Sequence, residues 1–257
     1  MRDTFDTQRY QSQLQTAAIG RTFEHHETVD TTMRLARERA DAGAPHGTLI
    51  FAEEQTAGVG RRGRSFQSPR GENLYFTLIL RLPAERHRQL PLAVPAAVCG
   101  AIQAAGANVL IKWPNDVWAG SLKVCGMLID AESGPGGLVA YPGIGINVNG
   151  DPGSSPELAG IATSIRKLTG GQVDREALLA GVCNRLESYL DGPSAVLSTD
   201  YRVMSLVTGR RVRLTFADGR AFDATADDIL DDGTLRVRLP DGTTEDVTAA
   251  EVSLRPA

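Results

Sequence analysis

Between residues 58 and 64 the chain reads G-V-G-R-R-G-R, three glycines and three arginines in seven positions. Glycines let a backbone turn tightly and bring its N–H groups close to an anion. Arginine forks suit carboxylate and phosphate oxygens. A segment built this way closes over a small anionic or phosphorylated ligand, and its flanks restrict the fold. Gly58, Gly60 and Gly63 satisfy G-x-G-x-x-G, a dinucleotide-binding spacing that needs a strand before it and a helix opening directly after it. A strand is expected over 47–53, G-T-L-I-F-A-E. The helix is missing: Ser65, Gln67, Ser68, Pro69, Arg70 and Gly71 compose a loop, followed by the strand-like stretch 73–82. The pattern argues against a doubly wound dinucleotide fold.

The rest of the chain alternates short strands with helices. Residues 20–30 read as an entering strand. A helix over 31–42 has Asp30 or Thr31 as its N-cap and Gly43 at its end. Strands follow near 48–52 and 74–80, then an alanine-rich helix over 90–106. A strand at 109–113 stops at Pro114, and two more are expected at 124–130 and 143–148. Residues 149–157, N-G-D-P-G-S-S-P-E, are a loop. Leu178, Val182 and Leu186 share one face of a helix over 175–190, capped by Asp174. After Thr208 the texture changes, with Asp-Gly at 218–219, 232–233 and 241–242 separating strands near 212–216, 221–226 and 235–239. Such turns signal hairpins, so a small antiparallel barrel over 209–257 is expected to follow a larger α+β domain over 1–208.

At 257 residues the chain has room for that division. A net charge of −4 argues against general binding to DNA, RNA or a membrane surface. Cysteines 99, 125 and 183 lack metal-type spacing, as do histidines 25, 26, 46 and 87, and three free thiols fit a reducing cytoplasm. The polar N-terminus lacks the apolar core of a signal peptide. Pro95, Gln103 and Asn108 interrupt the most apolar window, 92–111, which suits a buried helix and strand better than a membrane span.

Six segments resemble one family closely: V-D-T-T-M (29–33), A-E-E-Q-T-A-G-V-G-R-R-G-R-S-F (52–66), K-W-P-N-D-V-W (112–118), L-K-V-C-G-M-L-I-D (122–130), G-I-G-I-N-V (143–148) and E-V-S-L-R-P (251–256). They resemble, in order and spacing, the biotin protein ligases, which activate biotin with ATP and attach it to a lysine of a carboxylase. The resemblance implies a mixed β-sheet flanked by helices, like that of class II aminoacyl-tRNA synthetases, with a small C-terminal SH3-like β-barrel. The partner it implies is the biotin carboxyl carrier domain of acetyl-CoA carboxylase or a related carboxylase, and the ligase is expected to be a monomer or homodimer. Some relatives carry an N-terminal DNA-binding winged helix of roughly fifty to sixty residues, near the lower limit for an independent domain. About twenty residues precede the first strand here, so a type without DNA binding is expected.

The first half-reaction joins two anions, the biotin carboxylate and the α-phosphate of ATP, so fixed donors must offset their repulsion and positioning should dominate. By resemblance Lys123 stands against both anions, with Arg61 and Arg64 bridging carboxylate, phosphate and loop. Arg62 is as well placed to face solvent. The resemblance assigns biotin to Thr31, Thr32, Met33, Gln55, Val59, Gly60, Arg61, Lys123 and Gly126. It assigns ATP to Arg61, Arg64, Phe66, Lys112, Asn115, Asp116, Lys123, Asn147 and Arg255. Asp116 is expected to orient the acceptor lysine or help deprotonate it, and Trp113 fits core and adenine platform equally. Mg²⁺ is implied by the triphosphate; the sequence shows no carboxylate cluster to hold it.

Four positions depart from the pattern: Met33 for asparagine, Val59 for arginine, Phe66 for tryptophan and Asp130 for glutamate. One lost charged hydrogen bond costs roughly 1.5–3 kcal/mol, about one or two orders of magnitude in biotin affinity. Two other readings remain, a degenerate biotin-binding module and a lipoate or octanoyl transferase on a related fold.

Overall fold

The computed structural model describes residues 4–60, 66–134 and 137–254. A short helix α1 (Thr7–Gln13) precedes β1 (Phe23–His26), α2 (Thr32–Asp41), β2 (Thr48–Ala52) and β3 (Leu74–Arg81). Next come α3 (Ala84–His87), α4 (Leu90–Ala104), β4 (Leu110–Lys112) and β5 (Asp116–Ala119). A long hairpin, β6 (Leu122–Gly134) and β7 (Gly137–Ile146), leads through a loop to α5 (Ile165–Thr169), α6 (Arg175–Asp191) and α7 (Ser194–Met204). These strands form a seven-stranded sheet in the order β1-β2-β3-β7-β6-β5-β4. β1 and β2 run parallel, and the other pairs are antiparallel.

Alternation along the strands decides what each face covers. Phe51, Phe76, Leu78, Val117, Cys125 and Ile146 point into one large core that also buries α4, α6 and α7. α4 is apolar nearly all round, as expected of a helix enclosed by neighbours. The opposite face is covered only in part: α2 lays Met33, Leu35, Ala36 and Ala40 on Ile50, Ile79, Val139 and Tyr141. Where α2 stops, the same face lines a cleft.

The C-terminal strands β8 (Arg211–Thr215), β9 (Ala221–Ile229), β10 (Leu235–Arg238), β11 (Thr244–Val247) and β12 (Glu251–Leu254) form an antiparallel sheet in the order β11-β10-β9-β8-β12. The expected Asp-Gly hairpins are present. Gly219, Gly233 and Gly242 take φ of 85°, 86° and 87°, and each preceding aspartate accepts the N–H two residues on, at 2.9 Å. The expected closed barrel is not observed: among the described residues β11 and β12 do not pair. β11 and β12 end the sheet as its two edges, and the sheet buries its apolar side chains in the core shared with the larger domain instead of closing on itself. Val212, Leu214, Ala226 and Val237 share the large core with α7, and the Trp113 indole N–H donates to Gly233 O at 2.8 Å.

Three further expectations change. β6 and β7 extend well beyond 124–130 and 143–148, because they pair with each other from Cys125 to Gly134. The stretch after Pro114 returns at once as β5. Helices α1 and α7 were not expected; both are held by docking, with Tyr10 and Tyr201 fully buried.

Candidate active site

The cleft has a volume of about 490 Å³. Its α2 side begins at Thr31, whose side chain caps α2 by accepting Met33 N–H at 3.3 Å. Gln55 Oε1 accepts from Thr32 N–H at 2.9 Å and from Thr32 Oγ1 at 3.2 Å. Gln55 Nε2 donates to Ser68 Oγ at 3.0 Å, and Thr32 Oγ1 meets Thr77 Oγ1 at 2.9 Å. The polar groups at this end are neutral and already tied to one another. Glu53, two residues before Gln55, is structural: buried, it takes the Arg175 guanidinium at 2.8 Å and Phe5 N–H at 2.9 Å. Val59 and Gly60 line the cleft and Phe66 N–H donates to Gly58 O at 2.8 Å, joining the two ends of the glycine-arginine segment. Arg61, Arg62, Arg64 and Arg255 lie outside the described residues.

The floor is made of glycines. Gly126 on β6 and Gly145 on β7 are register partners, so two directly opposed positions lack side chains. A Cβ at Gly145 would sit 2.5 Å from the Phe66 ring, and one at Gly126 would sit 2.8 Å from Lys123 Nζ. Gly126 therefore makes room for Lys123 to lie across the floor. A Cβ at Gly143 would come within 2.7 Å of Met33 Cγ. Met33 is buried against the sheet and also lines the cleft. The alternate glycines of G-I-G-I-N-V were a readable signal for this bare floor.

Charge collects at the β4–β6 end. Lys112 pairs in register with Asp116 across the β4–β5 hairpin, and Lys123 Nζ lies 2.8 Å from Asp116 Oδ1. Lys123 faces the cleft because the β5–β6 register shifts by one residue between Val117 and Trp118. Val117 opposes Cys125, both in the core, whereas Trp118 opposes Lys123 with Val124 left over. Without that extra residue Lys123 would point into the core, since one step of slip exchanges the faces of a strand. Its main chain is clamped as well: Lys123 N–H donates to Ile161 O, and Lys123 O accepts Thr163 N–H, both at 2.9 Å. Burial of its side chain holds Lys112 below the ordinary lysine range, with Asp116 acting the other way and Lys123 adding to the depression. The Lys112 ammonium lies 3.7 Å from the centroid of the Trp118 ring.

Asn115 directs its amide N–H to Met127 O and accepts Met127 N–H at its own carbonyl, 3.0 Å away, locking the turn before β5 to β6. Asn147 Nδ2 donates to Thr163 O at 3.1 Å, fastening the segment that clamps Lys123. Trp113 lines the cleft but is 2% exposed and anchors the C-terminal sheet. Burial pushes the Cys125 thiol up, consistent with a packing residue. Sequence reasoning missed Thr77, Trp118, Glu157, Ile161 and Glu251, all at or behind the cleft wall.

The family model described as the Biotin/lipoate A/B protein ligase family matches residues 26–149, and that of the Biotin protein ligase C terminal domain matches 207–255. The chain is 33% identical over 238 residues to the bifunctional ligase/repressor BirA of Bacillus subtilis, across 89% of this chain and 73% of that protein. The chain belongs to the biotin protein ligase family. It is also 30% identical over 240 residues to the biotin--[acetyl-CoA-carboxylase] ligase of Mycobacterium tuberculosis, across 88% of this chain and 86% of that one. Among solved structures it is similar to the biotin protein ligase from Aquifex aeolicus in complex with biotin and ATP. The TM-score is 0.77 at 26% identity, covering 92% of this chain and 99% of the other. As a biotin protein ligase fold, its mixed sheet and helices accompany a separate C-terminal antiparallel sheet.

Proposed function

We propose that this chain is an ATP-dependent biotin protein ligase. It forms biotinyl-5′-AMP with release of pyrophosphate, then transfers biotin to a lysine of a carboxylase's biotin carboxyl carrier domain. One observation carries the reading: a neutral, prelocked hydrogen-bonding end and a two-lysine end share one cleft. The first suits a urea ring on a mostly apolar ligand. The second suits two anions that repel until a cation stands between them.

In the first step a biotin carboxylate oxygen bonds to the α-phosphorus of ATP as the bond to the pyrophosphate oxygen breaks. Lys123, extended over Gly126, is the cation for both reacting groups, and Lys112 is the second. Lys123 is held to Asp116, so substrate phosphate and carboxylate replace one existing ion pair. In the second step the acceptor amine attacks the acyl carbon, AMP leaves, and the amine proton passes to a base for which Asp116 is the candidate. Mg²⁺ would arrive with the triphosphate and neutralise part of its charge. Among the described residues no group of three or more His, Cys, Asp or Glu is arranged to hold a metal. A cytoplasmic setting is supported by three buried free cysteines. Among the described residues no helix is long and apolar enough to cross a membrane.

The test is biotin-dependent ATP–pyrophosphate exchange, run beside lipoate, followed by transfer of labelled biotin to a carrier domain. Exchange with lipoate alone would move the chain to the lipoate side of the family. Exchange without transfer would leave an adenylate-holding protein.

A further inference from the structure

We propose that Trp118 is a positioning residue for the phosphate end of this cleft: its ring face holds the Lys112 ammonium, and its indole N–H braces the Asp116 carboxylate. The inference rests on the ligase reading and adds to it a residue that the reading does not use.

The placement follows from the strands. Asp116 and Trp118 alternate with buried Val117, so both face the cleft. Lys112 opposes Asp116 and Leu110 opposes Trp118, which makes Lys112 and Trp118 diagonal cross-strand neighbours within reach of long side chains. The ammonium stands 3.7 Å from the ring centroid, close enough for the ring quadrupole to attract it. The indole Nε1–H donates to Asp116 Oδ2 at 3.4 Å, while Asp116 Oδ1 takes Lys123 at 2.8 Å. Each carboxylate oxygen thus has its own partner, and one indole links the groups on either side.

Such a brace answers a physical need. Lys112 carries a flexible stem, and holding it in one geometry costs conformational entropy. Lys123 repels it from nearby, and its own burial strips water from the ammonium. A ring face supplies attraction in a partly dry site without adding a negative charge that would oppose a triphosphate. Tryptophan offers the strongest such face together with an N–H donor.

Side-chain replacements separate the parts. Trp118→Phe keeps a ring face and loses the donor; Trp118→Leu loses both. Each is made alone and combined with Lys112→Ala, and read by biotin-dependent pyrophosphate exchange over a range of ATP, with biotin affinity by calorimetry. Trp118→Leu should lower kcat/KM for ATP by about five- to thirtyfold, leave biotin affinity within about twofold, and be rescued only in part by Trp118→Phe, the shortfall marking the lost indole N–H to Asp116. In the Lys112→Ala background, Trp118→Leu should cost no more than about a further twofold, because coupled residues share one loss. Losses that multiply in the double variant, or that fall equally on biotin and ATP, would overturn the inference. If Trp118→Leu does not fold, Trp118→Met, which also lacks a ring face, with and without Lys112→Ala reads the same coupling: multiplied losses overturn it, a shared loss supports it. A wild-type protein without exchange activity would instead sink the ligase reading and this inference with it.

Discussion

At the α2 end of the cleft Thr32, Gln55, Thr77 and Ser68 bond to one another at 2.9–3.2 Å. At the β4–β6 end Lys112, Asp116 and Lys123 are held by charge and by an aromatic ring. Both ends lie on one sheet face and meet at the Gly126–Gly145 floor. The neutral end is rigid before any ligand arrives, so its substitutions should act on binding. In the proposed reaction the charged end exchanges its Lys123–Asp116 ion pair for substrate oxygens, so its substitutions should act on the chemical step.

Lys123→Ala is the strongest test. Removing the cation between two anions should cut biotin-dependent pyrophosphate exchange by at least about a hundredfold to a thousandfold, with the fold retained because the side chain is 31% exposed. Near wild-type exchange would erase the contrast between the ends.

Gln55→Ala should weaken biotin by about one or two orders of magnitude, since it takes away the acceptor of Thr32 N–H and one partner each of Thr32 Oγ1 and Ser68 Oγ. Calorimetry gives the affinity, and exchange at saturating biotin should be nearly unchanged. A variant that binds biotin normally but turns over slowly would place chemistry at the wrong end.

Lys112→Arg sharpens the comparison through pH. The folded protein depresses Lys112 through burial. Its charge is therefore present below that lowered pKa and lost, as pH rises, earlier than from an ordinary lysine. The alkaline fall of kcat/KM for ATP should move to higher pH in Lys112→Arg, a few-fold difference at the alkaline end because arginine stays charged. Superimposable alkaline limbs would remove Lys112 from the charged set.

Met33→Leu should do least. A volume-conserving swap costs under about 1.5 kcal/mol, and biotin affinity should stay within about threefold. A tenfold loss in calorimetry would mean that the Met33 side chain contacts ligand as well as packing on Gly143.

The Asp-Gly turns, the helix cap Asp174, the α2 cap to within Asp30 or Thr31, and the long buried helices were legible because local chemistry sets them. Helix α1 was not: T-Q-R-Y-Q-S-Q buries only Tyr10 and has no apolar stripe. It exists through long-range contacts, such as Tyr10 Oη to Gly20 O at 3.2 Å and Arg9 to Asp174. Strand β5 escaped because K-W-P-N-D-V-W reads as a strand stopped by proline, while the returning half has four residues.

By itself the sequence determined which charged groups this protein owns and in what order, because short motifs store residue identity and spacing. Lys112, Asp116 and Lys123 were nameable in that way. Direction was decided only by the tertiary structure. A one-residue shift against β5 turns Lys123 from the core to the cleft, and a diagonal across β4 and β5 puts Trp118 under Lys112. The opposed glycines leave the floor bare only because β6 and β7 pair in that register. Facing, register and diagonal contact belong to pairs of strands, and no single segment encodes them.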